Sequence, residues 1–419
     1  MRHAVLLASL AGLAGCASIG AADTSAARSG PSPYLLVFAG DKDEKDEDFL
    51  AVVDLRAGAA GSVVSTRPIG LKAAMPHHME YALPPKGELL FINPHHSEES
   101  LLIDTSDPFV LKLERRLAPP KPFRFPHDYW RLPNGNRLVG FLRSDGPSPV
   151  AGDPDNPGGH GGIAEYSAAG TLLRTASAAA DGFGAPVRPY AFAPVPAHDR
   201  LVTTSATMME TNSADVVQIW RFSDLKLLHT IPVPPGAKPK AESTPFEPRL
   251  MADGSILINA YGCGLYRLTG VETDAPRLDH VFTFEAGADE KRRGACSVPV
   301  VEGRWWVMPV GRARRIVTLD VSDPARPRQV ASFDTAEDFR PHWAAKDPRS
   351  DRIVVGAELG GEQGMLVLRL DPATGSLRRD ERIRSPGGQA GYIDLALESW
   401  PHGSTGHAWA HAALFMPGE

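Results

Sequence analysis

Seven short apolar stretches recur along this chain, and they constrain its fold more than any other feature. They read FLAVVDL (49–55), LLIDTSDP (101–108), GIAEYSAAG (162–170), VVQIWRFSD (216–224), GLYRLTG (264–270), RIVTLDVSDP (315–324) and MLVLRLDPATG (365–375). Each is an apolar run that usually ends in an aspartate or a polar turn. The copies lie roughly 45–65 residues apart, the spacing of four-stranded propeller blades. A further strand such as VLKLERRL, LKLLHTIPV or RQVASFD follows each copy and fits the outer edge of a blade. Helical periodicity is scarce, and 40 Gly and 38 Pro without a collagen-like period supply turns between short strands. The expected fold is all-β: one seven-bladed β-propeller spanning residues 34–419.

A second repeated frame precedes the copies and supplies the inner strand of each blade. His78, His127 and His342 are each followed, after the same number of residues, by an apolar residue (Leu89, Leu138, Ile353), with Pro84, Pro133 and Pro348 at one offset. The equivalent place holds Tyr190 in YAFAPVPAHDRL, Glu247 in FEPRLMADGSIL and Ser297 in CSVPVVEGRWWV. The first blade has no inner strand of its own near the N-terminus. AHAALFM (410–416), which carries His411, can supply it, and a propeller needs such a closure to remove its open edges.

Inner strands line the central channel. His411, His78, His127 and His342 then fall in blades one, two, three and seven, consecutive around the ring. Four imidazoles converging there form a candidate site for zinc, copper, iron or nickel. A set of neutral donors leaves the metal charge uncompensated and favours an exchangeable anionic ligand. Glu80 and Glu247 are candidate carboxylates to orient the rings, and Tyr190 is a candidate channel residue. His77 is expected on the opposite face of an extended strand. His95 and His96 are expected in an exposed turn, His160 in a solvent-exposed loop, and His402 and His407 near the channel mouth. Trp305 and Trp306 are expected in the core or the channel lining.

Arg2 and the apolar stretch 4–13 read as an export signal too short to span a bilayer. It runs into Leu13-Ala14-Gly15-Cys16, which resembles the lipobox of bacterial lipoproteins. That likeness implies a signal peptide over residues 1–15 and lipidation of Cys16. The alternative is an ordinary signal peptide cleaved nearby, for instance after Ala22. Residues 17–33, small and polar, are expected to be a flexible tether. The body would then face the periplasm or the exterior, held to the membrane only by its lipid anchor. Cys263 and Cys296 either pair in that oxidising compartment or remain buried thiols. A net charge of −6 without a basic run gives no sign of nucleic-acid binding. No G-x-S-x-G elbow, phosphate-binding glycine loop, CxxC pair or HExxH helix is present.

The order of these segments resembles the selenium-binding protein family, which includes methanethiol oxidases. FLAVVDL, PHHMEY, LLIDTSDPFVLKLERRL, PHDYWRLPNGNRL, VVQIWRFSDLKLLHTI, FEPRL and RIVTLDVSDPARPRQVASF carry the resemblance, across most of residues 34–384. It implies a seven-bladed propeller and copper held by channel histidines, with His78 and His127 the best matches. His342 and His411 rest on the internal repeat. The family's cysteine-rich N-terminal segment and internal cysteine pair have no counterpart here. The carotenoid oxygenases, with four histidines around iron, share the arrangement but not the sequence. The expected activity is copper- or iron-dependent oxidation of a small thiol or sulfur compound by dioxygen. The alternatives are a non-catalytic envelope scaffold with a protein partner, and a selenium or metal carrier.

Overall fold

The computed structural model describes residues 30–57, 61–146, 158–208, 212–236, 243–286, 295–358 and 364–417. The signal stretch, Cys16 and most of the expected tether lie outside them. The described residues form seven antiparallel sheets, the seven blades of a propeller. Blade 1 pairs Ala408–Met416, Tyr34–Asp41, Glu47–Asp54 and Val63–Lys72 in that order from the inside out. Blades 2 to 7 begin with the inner strands Pro76–Met79, Phe123–Arg131, Pro189–Val195, Pro245–Leu250, Val300–Glu302 and Pro341–Lys346. Blade 7 carries an extra strand, Tyr392–Asp394, paired with its third strand Gly364–Leu370.

The closure is as expected. Ala408–Met416 runs antiparallel to Tyr34–Asp41, with Tyr34 opposite Met416 and Asp41 opposite Ala408. The ring is thus completed by the C-terminal strand, and the inner edge of blade 1 is paired. The ordered body begins before Tyr34. Ser32 is buried, its N–H donates to Asp347 Oδ2 at 3.1 Å, and its hydroxyl donates to Asp347 Oδ1 at 2.6 Å. The expected tether therefore ends short of residue 33, because Ser32 is fixed to blade 7.

The recurring apolar copies are the third strands of their blades. Neighbouring blades cover both of their faces, so they read as continuous apolar runs rather than alternating ones. Val216–Arg221 is buried at five of six positions, whereas the outer strand Lys112–Leu117 has none buried. Trp305 and Trp306 lie in the blade 6 core. Cys263 and Cys296 form a disulfide that ties blade 5 to the start of blade 6.

Candidate metal centre

Every inner strand breaks its ladder at the same place. In blade 2, Pro76 pairs with Pro94 and Met79 with Ile92, three steps opposite two. Blades 3, 4 and 5 repeat this between Pro126 and Tyr129, Pro189 and Phe192, and Pro245 and Pro248. Blade 7 does so between Pro341 and Trp343, and the closing strand between Ala410 and Ala412. In blade 6 the Cys296–Val310 bridge precedes the Val300–Val307 pair, four steps opposite three. Proline has no N–H for the ladder and is at home beside a bulge. The bulge leaves its extra residue unpaired and re-aims its side chain. The bulged residues are His77 and His78, His127 and Asp128, Tyr190 and Ala191, Phe246 and Glu247, Ser297, His342, and His411.

The bulge corrects the expectation for His77. A regular strand would send it away from His78, but the two rings are stacked 4.4 Å apart. Counted from the preceding proline, His77 is the equivalent of His127 and His342, and His78 matches Asp128. Ring centroids place His77 at 5.0 Å from His127 and 4.6 Å from His411. His78 lies 4.2 Å from His127, and His342 lies 4.6 Å from His411. Nitrogens of His77, His78 and His127 come within 4.8 Å of one another. Of the four expected histidines, His78 and His127 share this group with His77, while His411 stacks on His77 and His342 lies against His411. His95 corrects a second expectation: it is buried, with its ring 5.4 Å from His77, while His96 stays exposed.

Ring orientation is set by the backbone and one hydroxyl. His127 Nδ1 lies 2.9 Å from the carbonyl of Tyr190, which can only accept, so Nδ1 carries the proton and Nε2 keeps a free lone pair. Tyr190 thus serves through its carbonyl, and its ring lies 3.9 Å from that of His127. His342 Nδ1 lies 2.7 Å from Ser297 Oγ. No expectation gave Ser297 this role. The carboxylates behave otherwise. Glu80, expected to orient a histidine, accepts from Arg131 Nε and Arg137 Nε at 2.9 Å each and from the N–H of Phe91 at 3.0 Å. Its bonds run between blades 2 and 3 because it lies past the bulge. Glu247 accepts from Tyr81 and Arg249 at 2.7 and 2.8 Å, away from the imidazoles. The carboxyl beside the cluster is Asp128, 4.0 Å from His78 Nδ1.

The electrostatics keep this cluster neutral. Burial pushes His77, His78 and His411 far below the ordinary imidazole range, and their neighbouring imidazoles add to it. Burial takes His127 down to about 3, against the opposing bond to Tyr190, and His342 to about 4. Burial, then Glu247, raises Asp128 well above the carboxylate range. Among the described residues, eight buried imidazole nitrogens have no hydrogen-bond partner: both of His77, His78 and His411, Nε2 of His127, and Nδ1 of His95. Each such atom costs about 1–3 kcal/mol if left unsatisfied. A cation that prefers imidazole fits this donor set, and a neutral set leaves its charge to an exchangeable anion. Of the five rings only His342 has measurable exposure, at 8 %.

The outlying histidines play other parts. His402 bonds Thr66 on the outer strand of blade 1 at 2.8 Å and packs 4.7 Å from Phe49, so it is not at the channel mouth. His407 pairs with Glu398 at 3.0 Å. His160 is part-buried and accepts the N–H of Val187 at 3.0 Å, which a freely solvated loop residue would not do.

No protein-family model and no curated protein matches the chain. Solved structures do resemble it. A hypothetical selenium-binding protein from Sulfolobus tokodaii superposes with a TM-score of 0.70 at 13% identity, covering 92% of this chain and 93% of its own. A periplasmic gluconolactonase from Pseudomonas aeruginosa gives 0.59 at 16% identity, covering 90% and 99%. A putative 6-phosphogluconolactonase from Bacteroides uniformis gives 0.58 at 12% identity, covering 87% and 98%. At these identities the likeness is one of fold.

Proposed function

We propose that this protein is an envelope-anchored propeller whose channel histidines hold a transition metal, copper ahead of iron, for oxidation of a small thiol or sulfur compound by dioxygen. The observation that carries this reading is a group of neutral, buried imidazoles: nitrogens of His77, His78 and His127 come within 4.8 Å of one another, and each of these rings, like that of His411, has an orphaned nitrogen. The likeness to a selenium-binding protein is consistent with it, and the anchoring rests on the Leu13–Cys16 motif. A copper or iron ion in such a site supplies one-electron chemistry and binding positions for a thiolate and dioxygen. The chain supplies the rest. Tyr190 and Ser297 hold the rings of His127 and His342, Trp343 packs against His78 and His411 with Tyr81 stacked on it, and His342 marks the side of access.

Metal analysis of protein purified without chelator tests the reading. A stoichiometric transition metal is expected, and His127→Ala should abolish it while the circular dichroism stays that of a β-propeller. No stoichiometric metal, even after reconstitution with copper or iron, sinks the proposal. The near-complete burial of the cluster also favours a second reading, metal carriage without turnover. Oxygen uptake with a small alkanethiol separates the two, since a carrier consumes none.

A further inference from the structure

Beside the histidines stands a series of aromatic rings with no part in ligation. Trp343, fully buried, lies 5.1 Å from the ring of His78 and 6.0 Å from that of His411. Tyr81 stacks on Trp343 at 5.9 Å with 7° between the planes. Trp130 follows at 5.6 Å from Tyr81. Tyr81 and Trp130 are part-buried, so the series leads from the cluster toward solvent.

The phenol in this series has a proton acceptor. Tyr81 Oη donates to Glu247 Oε2 at 2.7 Å. Glu247 is fully buried and its Oε1 has no partner. Burial, then the Asp128 and Glu247 carboxyls, hold the Tyr81 proton in place well above the ordinary phenol range. Arg249 lies over the Tyr81 ring, 4.7 Å from its centroid, and repels a second positive charge there. Such a phenol loses an electron readily only when its proton leaves at the same time.

We propose that Tyr81 is a redox residue: one electron passes from its ring through Trp343 to an oxidant held by the histidines, and its proton passes to Glu247 Oε2. Tyr81 becomes a neutral phenoxyl radical, the oxidant is reduced by one electron, and Glu247 is protonated. An external thiolate returns the electron by way of Trp130 and leaves as a thiyl radical, and the proton goes back from Glu247 to Tyr81. The relay draws oxidising equivalents away from the imidazoles. It rests on the proposed function for its oxidant, the oxidised metal ion, but its test does not.

Flash-generated tris(bipyridine)ruthenium(III), acting on the metal-free full chain, supplies the oxidant, and freeze-quenched samples are read by electron paramagnetic resonance. Tyr81 and Tyr261 are the tyrosines that are not buried, so Tyr261→Phe is the control. A neutral tyrosyl signal is expected in the parent and in Tyr261→Phe, with loss of that signal in Tyr81→Phe. Glu247→Gln should replace it with a tryptophan radical. An unchanged signal in Tyr81→Phe overturns the proposal, and an unchanged signal in Glu247→Gln overturns the proton path. Circular dichroism confirms that each variant is folded. A tyrosyl signal that depends on Tyr81 in a protein that takes up no metal upholds the relay and defeats the proposed function. Full metal uptake with a signal indifferent to Tyr81 does the reverse.

Discussion

His342 Nδ1 and Ser297 Oγ are 2.7 Å apart, and the pair joins blade 7 to the peptide that opens blade 6. The Ser297 hydroxyl faces the carbonyl of Ala295 at 3.4 Å, so its oxygen can accept the Nδ1 proton and leave Nε2 for a metal. Losing a partner of this kind typically weakens metal binding by about 10–100-fold. Ser297→Ala should do so while unfolding free energy changes by only about 1 kcal/mol. Chelator competition and urea denaturation of the same samples measure the two effects. Unchanged affinity would remove Ser297 from the site.

The same peptide is held by the disulfide. Cys296 adjoins Ser297 and bonds Cys263 across 33 residues of sequence. Asn259 Nδ2 also donates to the carbonyls of Cys296 and Ser297 at 3.0 and 2.9 Å. On the chain-entropy account a closed loop of this size stabilises by about 4 kcal/mol. The double Cys→Ala variant should lose about that much in urea denaturation. It should bind metal less tightly than the parent, since Ser297 is then positioned only by hydrogen bonds, those from Asn259 and those of the backbone to Tyr261, Pro309 and His342.

The blades were legible because their third strands, buried on both faces, read as seven continuous apolar runs. The closure was legible because blade 1 was one strand short at its start and AHAALFM was left over at the end. The site was only half legible. Spacing to the next apolar residue picked out His78 and His127, and regular strand alternation then excluded His77. The bulge reverses that exclusion. Its signal was in the sequence, as a proline directly before the site in PHH, PHD, PYA, PFE and PHW. Ser297 was found as a repeat position, but its bond to His342 depends on how two blades meet, which no pattern within one blade shows. Glu80 was misplaced for the same reason as His77, since face counting fails across a bulge.

Glu80 offers a contrast with the histidines two and three residues before it. It is buried with the fully buried Arg137, and Arg131 shares its carboxylate. Removing one member of a buried ion pair leaves a charge uncompensated and costs about 3–5 kcal/mol. Glu80→Gln should therefore lower stability by that order, as seen in denaturant midpoints, while the surviving folded protein keeps its full metal content. Loss of metal at unchanged stability would return Glu80 to the site.

The imidazoles also fix how stability depends on pH. In the unfolded chain a histidine takes up a proton near pH 6.5, whereas folding holds His127 to about 3 and both His342 and His95 to about 4. His77, His78 and His411 are shifted in the same direction. Below pH 6.5 the unfolded state therefore binds more protons than the folded one. The stability present above pH 6.5 is lost as pH falls toward 4, by up to about 1.4 kcal/mol per pH unit for each histidine. Four carboxyls oppose this. Burial raises Asp48 to about 6 and also raises Asp41, Glu80 and Asp128, so each contributes stability that is lost as pH rises. His160 and His402 are lowered as the cluster is, so eight histidines stand against four carboxyls, and the metal-free protein should be markedly less stable at pH 5 than at pH 7. Urea titrations at the two values measure the difference, and His77→Ala should shrink it. A flat profile would mean that the cluster is hydrated rather than dry.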